Sequence, residues 1–260
     1  MRPVHPSPRT RPRLIGLAGL ACGMGLCATA AQAGSDPGYY VVTPYDDAGR
    51  LSLELRYWDA RRGARQRSLM WPELGLAWGV NSRWTMRLLA SGIGHSLDGQ
   101  RLEALQWHND VLLTQGEWPL DLALHSVLRR GFDGHGDALE LGPVLNTDLG
   151  RTQLTAGLFA EQGLGRGLAG TAQLKYQWQL RQRWRPGLHW GLQGFGELGD
   201  WNRWSAHAAQ SHRLGPALFV APGGGQAGRW QWQAAWLQGK VYGRSGHMAS
   251  LQAMWHWRAD

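Results

Sequence analysis

The sequence predicts an all-β fold, a closed antiparallel transmembrane β-barrel of about 12 strands. After residue 50, runs of roughly ten residues alternate apolar with polar side chains, and longer and shorter connectors take turns between the runs. Beyond the N-terminal leader, no stretch is apolar for long enough to form a membrane-spanning helix. An even number of strands returns the chain to its starting side, so both termini are expected in the periplasm.

Each predicted strand is defined by apolar residues at every second position. The first six strands alternate leucines and tryptophans with charged or amide side chains, and Asn81-Ser82 marks a turn between the second and the third. These strands span residues 51–57, 68–78, 84–93, 105–113, 120–129 and 139–146. Because one face is apolar and the other polar, we expect the apolar face to contact lipid and the polar face to line the lumen.

The second half of the chain repeats this scheme. A turn at Gly150-Arg151 precedes the seventh strand, and the eighth has the clearest alternation, which a helix would not produce. The last four strands are rich in tryptophan, and the tenth has the weakest pattern. These strands span residues 154–161, 172–181, 188–193, 213–220, 230–236 and 248–257.

The N-terminus has the pattern of a secretory signal peptide. Four arginines precede an apolar stretch that runs from Leu14 to about Ala30, and Ala31-Gln32-Ala33 supplies small residues at a cleavage site, so cleavage is expected after Ala33. A lipoprotein site at Cys22 is a weaker alternative, because Gly19 stands where a large aliphatic residue is usual. The predicted organisation is a signal over 1–33, a periplasmic arm over 34–50, the barrel over 51–257 and a tail over 258–260.

Composition excludes several functional classes. Removing the leader leaves 23 basic residues against 19 acidic ones, and no RNA-binding signature or phosphate-cradling glycine loop accompanies them. Nucleic-acid binding is therefore not expected. Both cysteines, Cys22 and Cys27, lie in the leader, so the mature chain is expected to lack disulfides and thiolate metal sites.

Several short segments give the chain a family resemblance. It resembles bacterial outer-membrane β-barrels, and most nearly the transporter barrels grouped with phenol-degradation pathways. The segments are Thr43-Pro44, Gly49-Arg50, Leu141-Gly142-Pro143-Val144, Phe195-Gly196-Glu197-Leu198-Gly199 and His212-Arg213-Leu214-Gly215-Pro216. The resemblance implies a Gram-negative outer-membrane protein that is inserted by the barrel-assembly machinery, with Trp257 in place of the usual C-terminal aromatic residue.

Function is expected to come from the lumen, which carries charges of both signs. The lumen-lining candidates are Glu54, Arg56, Glu73, Arg87, His108, Asp110, His125, Glu140, Lys175 and His189. Twelve strands enclose a narrow space, so the first hypothesis is a porin-like passive channel or transporter for small solutes of unknown identity. Opposite charges could also bridge the interior, so a plugged structural or surface-interaction barrel is the alternative. No cofactor is expected.

Tryptophans near strand ends predict an aromatic girdle at the membrane interface. The candidates are Trp78, Trp84, Trp118, Trp184, Trp230 and Trp257. The alternative is a tryptophan-rich soluble barrel or a carbohydrate-binding surface. A basic first loop with Arg61, Arg62, Arg65 and Arg67 could pair with lipopolysaccharide phosphates.

Two further hypotheses concern chemistry. His108, Asp110 and His125 are the one plausible cluster for a transition metal, but their spacing is not diagnostic, and no metal site is expected. An outer-membrane enzyme would need a nucleophile beside a base, and Ser91, Ser96, His95 and Asp98 supply the residue types without a family signature. Since serine, aspartate and glycine are common in turns, a surface loop is favoured over a catalytic site.

Overall fold

The structure is a computed structural model that describes residues 40–45, 48–61, 68–132, 134, 136–165, 170–222, 230–241 and 244–258. The expected signal peptide, the first residues of the arm and most of the basic loop lie outside the described residues. Across the described ranges, no helix is long and apolar enough to cross a membrane.

Thirteen β-strands form one antiparallel sheet within the described residues. They are β1 (Arg50–Arg61), β2 (Leu69–Gly79), β3 (Trp84–Ile93), β4 (Arg101–Leu112), β5 (Asp121–Gly131), β6 (Asp137–Leu149), β7 (Thr152–Leu164), β8 (Gln173–Arg185), β9 (Leu188–Asp200), β10 (Arg203–Trp204), β11 (Ser211–Val220), β12 (Trp230–Val241) and β13 (Arg244–Arg258). Twelve of these are long and correspond to the predicted strands. The two-residue β10 was not predicted, and it only folds back on the end of β9.

The sheet closes into a barrel because its first and last long strands pair. β13 pairs with β1 from Arg258 opposite Arg50 to His247 opposite Arg61, and every other long strand pairs with its two neighbours along the chain. The predicted closed antiparallel barrel of about 12 strands is confirmed. Closure leaves no long strand with an unpaired edge in this sheet, which a membrane-spanning sheet requires.

We call the end at which β1 begins and β13 ends the near end, and the opposite end the far end. The expected alternation of connector lengths holds only in part. The near end holds the short turns predicted at Asn81-Ser82 and Gly150-Arg151, so the alternation also predicts a short connector there between β4 and β5, but this connector covers residues 113–120. At the far end, β12 and β13 run further than the sequence pattern indicated and pair as far as Val241 opposite Arg244.

The barrel is apolar outside and polar inside, the reverse of a soluble protein. The outward-facing Leu74 and Leu88 are 54% and 57% exposed, whereas the inward-facing Glu54 and Asp110 are fully buried. Exposed leucines recur on almost every long strand, and so a continuous apolar surface surrounds the sheet. This arrangement fits lipid as the surrounding solvent.

Glycines permit two local arrangements in the wall that a side chain would disfavour, a left-handed turn and the close packing of an aromatic ring. Gly150 and Gly187 adopt φ values of +63° and +71° in the short near-end turns, a conformation that other residues rarely adopt. Gly194 on β9 lies beneath the indole of Trp178 on β8, where a Cβ atom would come within 2.3 Å of the ring. Here the missing side chain lets a large aromatic residue cover the strand.

Candidate functional site: the barrel lumen

Charged side chains on β1 to β4 form a connected group inside the barrel. Arg56 Nε lies 2.5 Å from Glu54 Oε1, and Arg56 Nη1 lies 3.6 Å from Glu73 Oε2. Arg87 Nε lies 3.6 Å from Glu54 Oε2, and Arg87 Nη1 pairs with Asp110. All five side chains are buried, so each charge depends on these partners for its solvation.

The group continues around the wall on β5 to β8. His125 Nδ1 lies 2.5 Å from Asp110 Oδ1, and His125 Nε2 lies 3.6 Å from Glu140 Oε1. Lys175 Nζ donates to Glu140 Oε2 at 3.1 Å and also pairs with Glu161. We call the nine residues from Glu54 to Lys175 in these two paragraphs the ionic belt. It links eight consecutive strands through side chains alone.

Strand register explains why residues so distant in sequence meet. Arg56 pairs with Glu73, and Asp110 pairs with His125, so these partners face inward at the same height. Glu140 likewise pairs with Glu161. Because alternate residues of a strand share a face, a correct register brings whole sets of inward charges together.

The N-terminal arm enters the lumen and contacts this belt. Gln106 Nε2 donates to Glu73 Oε1 at 3.0 Å, which leaves Gln106 Oε1 to accept from His108 Nε2 at 2.8 Å. His108 Nδ1 is then an acceptor, so the Tyr40 hydroxyl donates to it at 2.8 Å. The Arg56 guanidinium lies 3.4 Å from the centre of the Tyr40 ring, a cation–π contact.

The rest of the arm is held between the walls. Val41 and Val42 are buried in two different apolar clusters, and the Tyr45 hydroxyl donates to Asp121 while it accepts from Asn146 Nδ2 at 3.0 Å. Burial and the neighbouring Asp121 carboxylate raise the pKa of Tyr45, which keeps its hydroxyl protonated as a donor. The arm was predicted as a separate segment, and its position inside the lumen was left open.

One sector of the inner wall is apolar, which the sequence analysis did not predict. This sector contains Trp58, Ala60, Trp71, Ile93, Phe195, Ala217, Phe219, Ala235, Leu237 and Met248, and Val41 of the arm packs against it. Alternation along β1 already indicated this sector, because Trp58 and Ala60 fall on the same face of the strand as Glu54 and Arg56. A second cluster holds Val42 among Leu112, Ala123, Val144 and Phe159.

Three small cavities lie beside the arm. Two cavities lined in part by Tyr40 and Glu140 have volumes of about 30 Å³ each, and a third beside Val41 and Thr43 has about 60 Å³. A cavity of this size accommodates about one or two water molecules. Because the arm packs against two apolar clusters and bonds to side chains of the wall, it narrows the lumen at its own level.

The structure places nine of the ten lumen candidates in the ionic belt or, for His108, directly against the arm. His189 is different, because it lies at the near end of β9 and accepts a hydrogen bond from Arg181 Nε at 2.8 Å. It is therefore separate from the His108 and His125 pair, whose ring centres are 5.7 Å apart.

The six girdle candidates all lie at or next to the near end of the barrel. Trp78 and Trp184 lie near the ends of β2 and β8, Trp84 and Trp230 begin β3 and β12, and Trp257 lies near the end of β13, while Trp118 lies in the connector before β5. Four of them are more than two-fifths exposed, namely Trp78, Trp118, Trp184 and Trp230. On β12 and β13 the tryptophans also contact one another, with Trp230 and Trp232 stacked at 5.7 Å.

Three of the four residues considered for chemistry, Ser91, His95 and Ser96, are engaged in structural contacts. Ser91 Oγ faces the lumen and donates to Glu103 Oε2 at 3.0 Å, while His95 Nδ1 lies 2.9 Å from the Ser68 carbonyl. Ser96 Oγ accepts from the Gly99 amide within a turn. Within the part of the chain that the structure describes, no three histidine, cysteine, aspartate or glutamate residues are arranged to hold a metal ion.

Together, the closed sheet, the apolar outer surface and the polar interior define the class of outer-membrane-type β-barrels. Comparison with solved structures confirms this fold, in agreement with the predicted resemblance to outer-membrane β-barrels. The COG4313 outer membrane channel from Pseudomonas putida F1 has a TM-score of 0.55 and 15% sequence identity, and the match covers 86% of this chain and 100% of that one. At this identity, the likeness establishes the fold alone.

Two further solved structures match with lower TM-scores. The translocator domain of the autotransporter NalP from Neisseria meningitidis has a TM-score of 0.44 and 14% identity, covering 81% of this chain and 89% of that one. OccK11 from Pseudomonas aeruginosa has a TM-score of 0.39 and 15% identity, covering 81% of this chain and 67% of that one. The sequence matches no protein-family model and no curated protein.

Proposed function

We propose that this protein is a passive channel for small solutes in the bacterial outer membrane, whose lumen opens when the N-terminal arm moves aside. The observation that carries the proposal is the position of residues 40–45. They lie in the lumen at the level of the ionic belt, where Tyr40, Val41, Val42 and Tyr45 contact the wall, and they are not a strand of the closed sheet. Diffusion through such a passage needs no energy source.

The contacts of the arm are individually modest. Each buried valine contributes about 1.5–3 kcal/mol, and each hydrogen bond of the Tyr40 and Tyr45 hydroxyls contributes about 1 kcal/mol. Fixing the backbone of each residue of the arm costs about 1–2 kcal/mol, which offsets much of this gain. Because the pairing of the twelve long strands does not include the arm, we expect that the arm can leave without unfolding the barrel.

The same proposal includes the setting of the barrel. We infer that residues 1–33 are removed as a signal peptide near Ala33, that the near end faces the periplasm and that the barrel-assembly machinery inserts the chain. The near-end tryptophans would then form a periplasmic girdle, with lipopolysaccharide around the far end. The lumen residues would weakly select solutes by charge. No catalytic reaction is part of the proposal.

A plugged structural or surface-interaction barrel is the second candidate, and the small cavities beside Tyr40 favour it. In that case the arm would be a permanent part of the core. The two candidates differ in one measurable property, because only a channel conducts ions when its arm is displaced.

The test compares the mature chain, beginning at Gly34, with a chain that begins at Arg50 and so lacks the arm. Each is refolded, checked by a heat-modifiability gel and inserted into a planar bilayer for single-channel recording. Arg87→Ala and Glu140→Ala are then introduced into both chains, because these two residues of the ionic belt carry opposite charges.

The channel hypothesis predicts rare or small conductance steps in the mature chain and larger, longer steps in the chain without the arm. The two charge variants should shift the ion selectivity of the shortened chain in opposite directions. A folded barrel that stays silent without its arm would contradict the channel and favour the plugged structural barrel.

A further inference from the structure

The inner wall has a recess beside Arg181, toward the near end of β8 to β12. Arg181 on β8 lies opposite Gly191 on β9 in the sheet register. Gly191 lies opposite Ala217 on β11, and Ala217 lies opposite Ala235 on β12. Because these three small residues face inward in one row, the wall has little side-chain bulk next to the guanidinium. We call these four residues the Arg181 recess.

Arg181 differs from other inward-facing arginines because no carboxylate neutralises it. Arg87 pairs with a carboxylate of the ionic belt, and Arg213 also lies against a carboxylate. Within the described part of the chain, the hydrogen bond of Arg181 goes from Nε to His189 Nδ1 at 2.8 Å, and its Cζ lies 4.9 Å from the centre of the Phe219 ring. The N–H groups of its two terminal nitrogens are left to donate to a ligand.

Further hydrogen-bond donors border the recess. Because His189 Nδ1 accepts from Arg181, the proton of the neutral imidazole lies on Nε2, which can donate. Gln231 and Gln233 on β12 line a cavity of about 60 Å³ together with Arg181 and Phe219. A guanidinium, an imidazole N–H and two amides therefore surround one part of the lumen, and an oxyanion accepts from all three kinds of donor.

The neighbouring wall carries almost no negative charge. Between Pro186 and Arg258, the only acidic residues in the sequence are Glu197 and Asp200. Both lie at the far end of β9, and Glu197 already pairs with Arg213 at 2.9 Å. The near-end half of the wall from β9 to β13 thus has no carboxylate to repel an anion or to compete with it for a cation.

We propose that the Arg181 recess binds the carboxylate of a small organic anion that passes through the lumen. The proposal rests on the channel function proposed above, and it names the class of solute. Val41 of the arm shares one buried apolar cluster with Ala217 and Phe219, so movement of the arm exposes an apolar surface beside the guanidinium. A solute with a carboxylate and a short apolar chain matches both features.

Other small solutes match only one of the two features. Inorganic phosphate suits the donors but leaves the apolar surface in contact with water. A neutral alcohol covers the apolar surface but leaves the charge of Arg181 without a partner of opposite sign. The combination therefore favours an organic carboxylate over both.

The test measures binding of butyrate to the folded mature protein by saturation-transfer NMR in deuterated detergent. 1-Butanol is the neutral analogue, and inorganic phosphate is added as a competitor. Arg181→Gln removes the charge of the recess. Arg183→Gln is the matched control, because Arg183 is also on β8 but pairs with Asp148 at 2.8 Å. His189→Phe removes another donor and replaces Arg181→Gln if that variant fails the heat-modifiability check.

Saturable butyrate binding is expected in the wild-type protein and in the Arg183→Gln variant. Arg181→Gln should bind butyrate about tenfold more weakly, the change expected when one hydrogen bond to a charged group is lost. Binding to the wild-type protein should weaken as the salt concentration rises. 1-Butanol should bind more weakly than butyrate, and phosphate should displace butyrate only when it is in excess.

Four results would overturn the inference. Unchanged butyrate binding in the folded Arg181→Gln or His189→Phe variant would show that the recess is not the site. Equal losses in the Arg181→Gln and Arg183→Gln variants would indicate a diffuse effect of charge. 1-Butanol binding as tightly as butyrate would leave only an apolar surface, and phosphate binding as tightly would leave a site for inorganic oxyanions.

Conductance of the same preparations in planar bilayers tests the channel separately. A silent barrel that binds butyrate through Arg181 would refute only the channel. A conducting barrel whose butyrate binding does not depend on Arg181 would refute only the assignment of the solute class.

Discussion

Replacing Asp110 by asparagine should destabilise the barrel strongly, because this carboxylate is fully buried between the Arg87 guanidinium and the His125 imidazole. Its Oδ1 lies 2.5 Å from His125 Nδ1, and its Oδ2 pairs with Arg87. Hydrogen bonds that involve charged groups contribute about 1.5–3 kcal/mol each, and breaking a buried ion pair from one side costs about 3–5 kcal/mol. We expect the free energy of unfolding to fall by about 3 kcal/mol, the lower limit of this range. The cost is at the lower limit because Arg87 still has Glu54 as a second partner, at 3.6 Å.

The assay is reversible urea unfolding of the protein in lipid vesicles, followed by tryptophan fluorescence. Asp148→Asn is the matched control, because Asp148 pairs with Arg183 at 2.8 Å where both side chains are about half exposed. Such a pair contributes about 0.2–1 kcal/mol. If Asp110→Asn and Asp148→Asn lower the free energy of unfolding by the same small amount, the ionic belt does not stabilise the wall as described.

Other substitutions test the apolar sector and the arm. Leu237→Ala removes a fully buried side chain and should lower the free energy of unfolding by about 2–5 kcal/mol, whereas Leu218→Ala on the outer face leaves no internal cavity and should cost less in the same urea assay. Tyr40→Phe loses one hydrogen bond of about 1 kcal/mol, so the open fraction in single-channel records should rise about fivefold; an unchanged fraction would mean that this contact does not hold the arm. The pKa of Tyr45 is raised in the folded protein, so its stabilising effect is complete below the ordinary tyrosine pKa of about 10 and declines above it. Unfolding titrations from pH 8 to about 11 should therefore show a steeper loss of stability in the wild-type protein than in Tyr45→Phe, and equal slopes would refute this role.

Alternating polarity was sufficient to predict the twelve long strands and the closed barrel. A strand exposed to lipid on one face and to a polar lumen on the other must alternate, as residues 172–181 do. The ends of strands were less predictable, since β12 and β13 continue through glycine and polar residues close to their connector. Strand pairing there depends on the neighbouring strand more than on local composition.

The inside of the barrel was only partly predictable. The alternation of side chains along each strand placed Glu54, Arg87 and Asp110 on the inner face, but it did not indicate which charges would contact one another. It also gave no reason to place Val41 and Val42 in the lumen, because residues 34–49 carry no alternation. Contacts between an irregular segment and a distant wall are set by tertiary packing, and a single sequence contains little direct signal for them.

Cross-linking the arm to the wall tests the proposed channel most directly. Val42 and Val144 pack in the same buried cluster, and the chain from Gly34 onward contains no cysteine, so Val42→Cys and Val144→Cys introduce one reducible pair. After the disulfide is verified by mass, we expect single-channel steps to disappear under oxidation and to return on reduction, while the Val42→Cys single variant is unaffected by either treatment. Equal conductance of the oxidised and reduced double variant would contradict an opening that depends on movement of the arm.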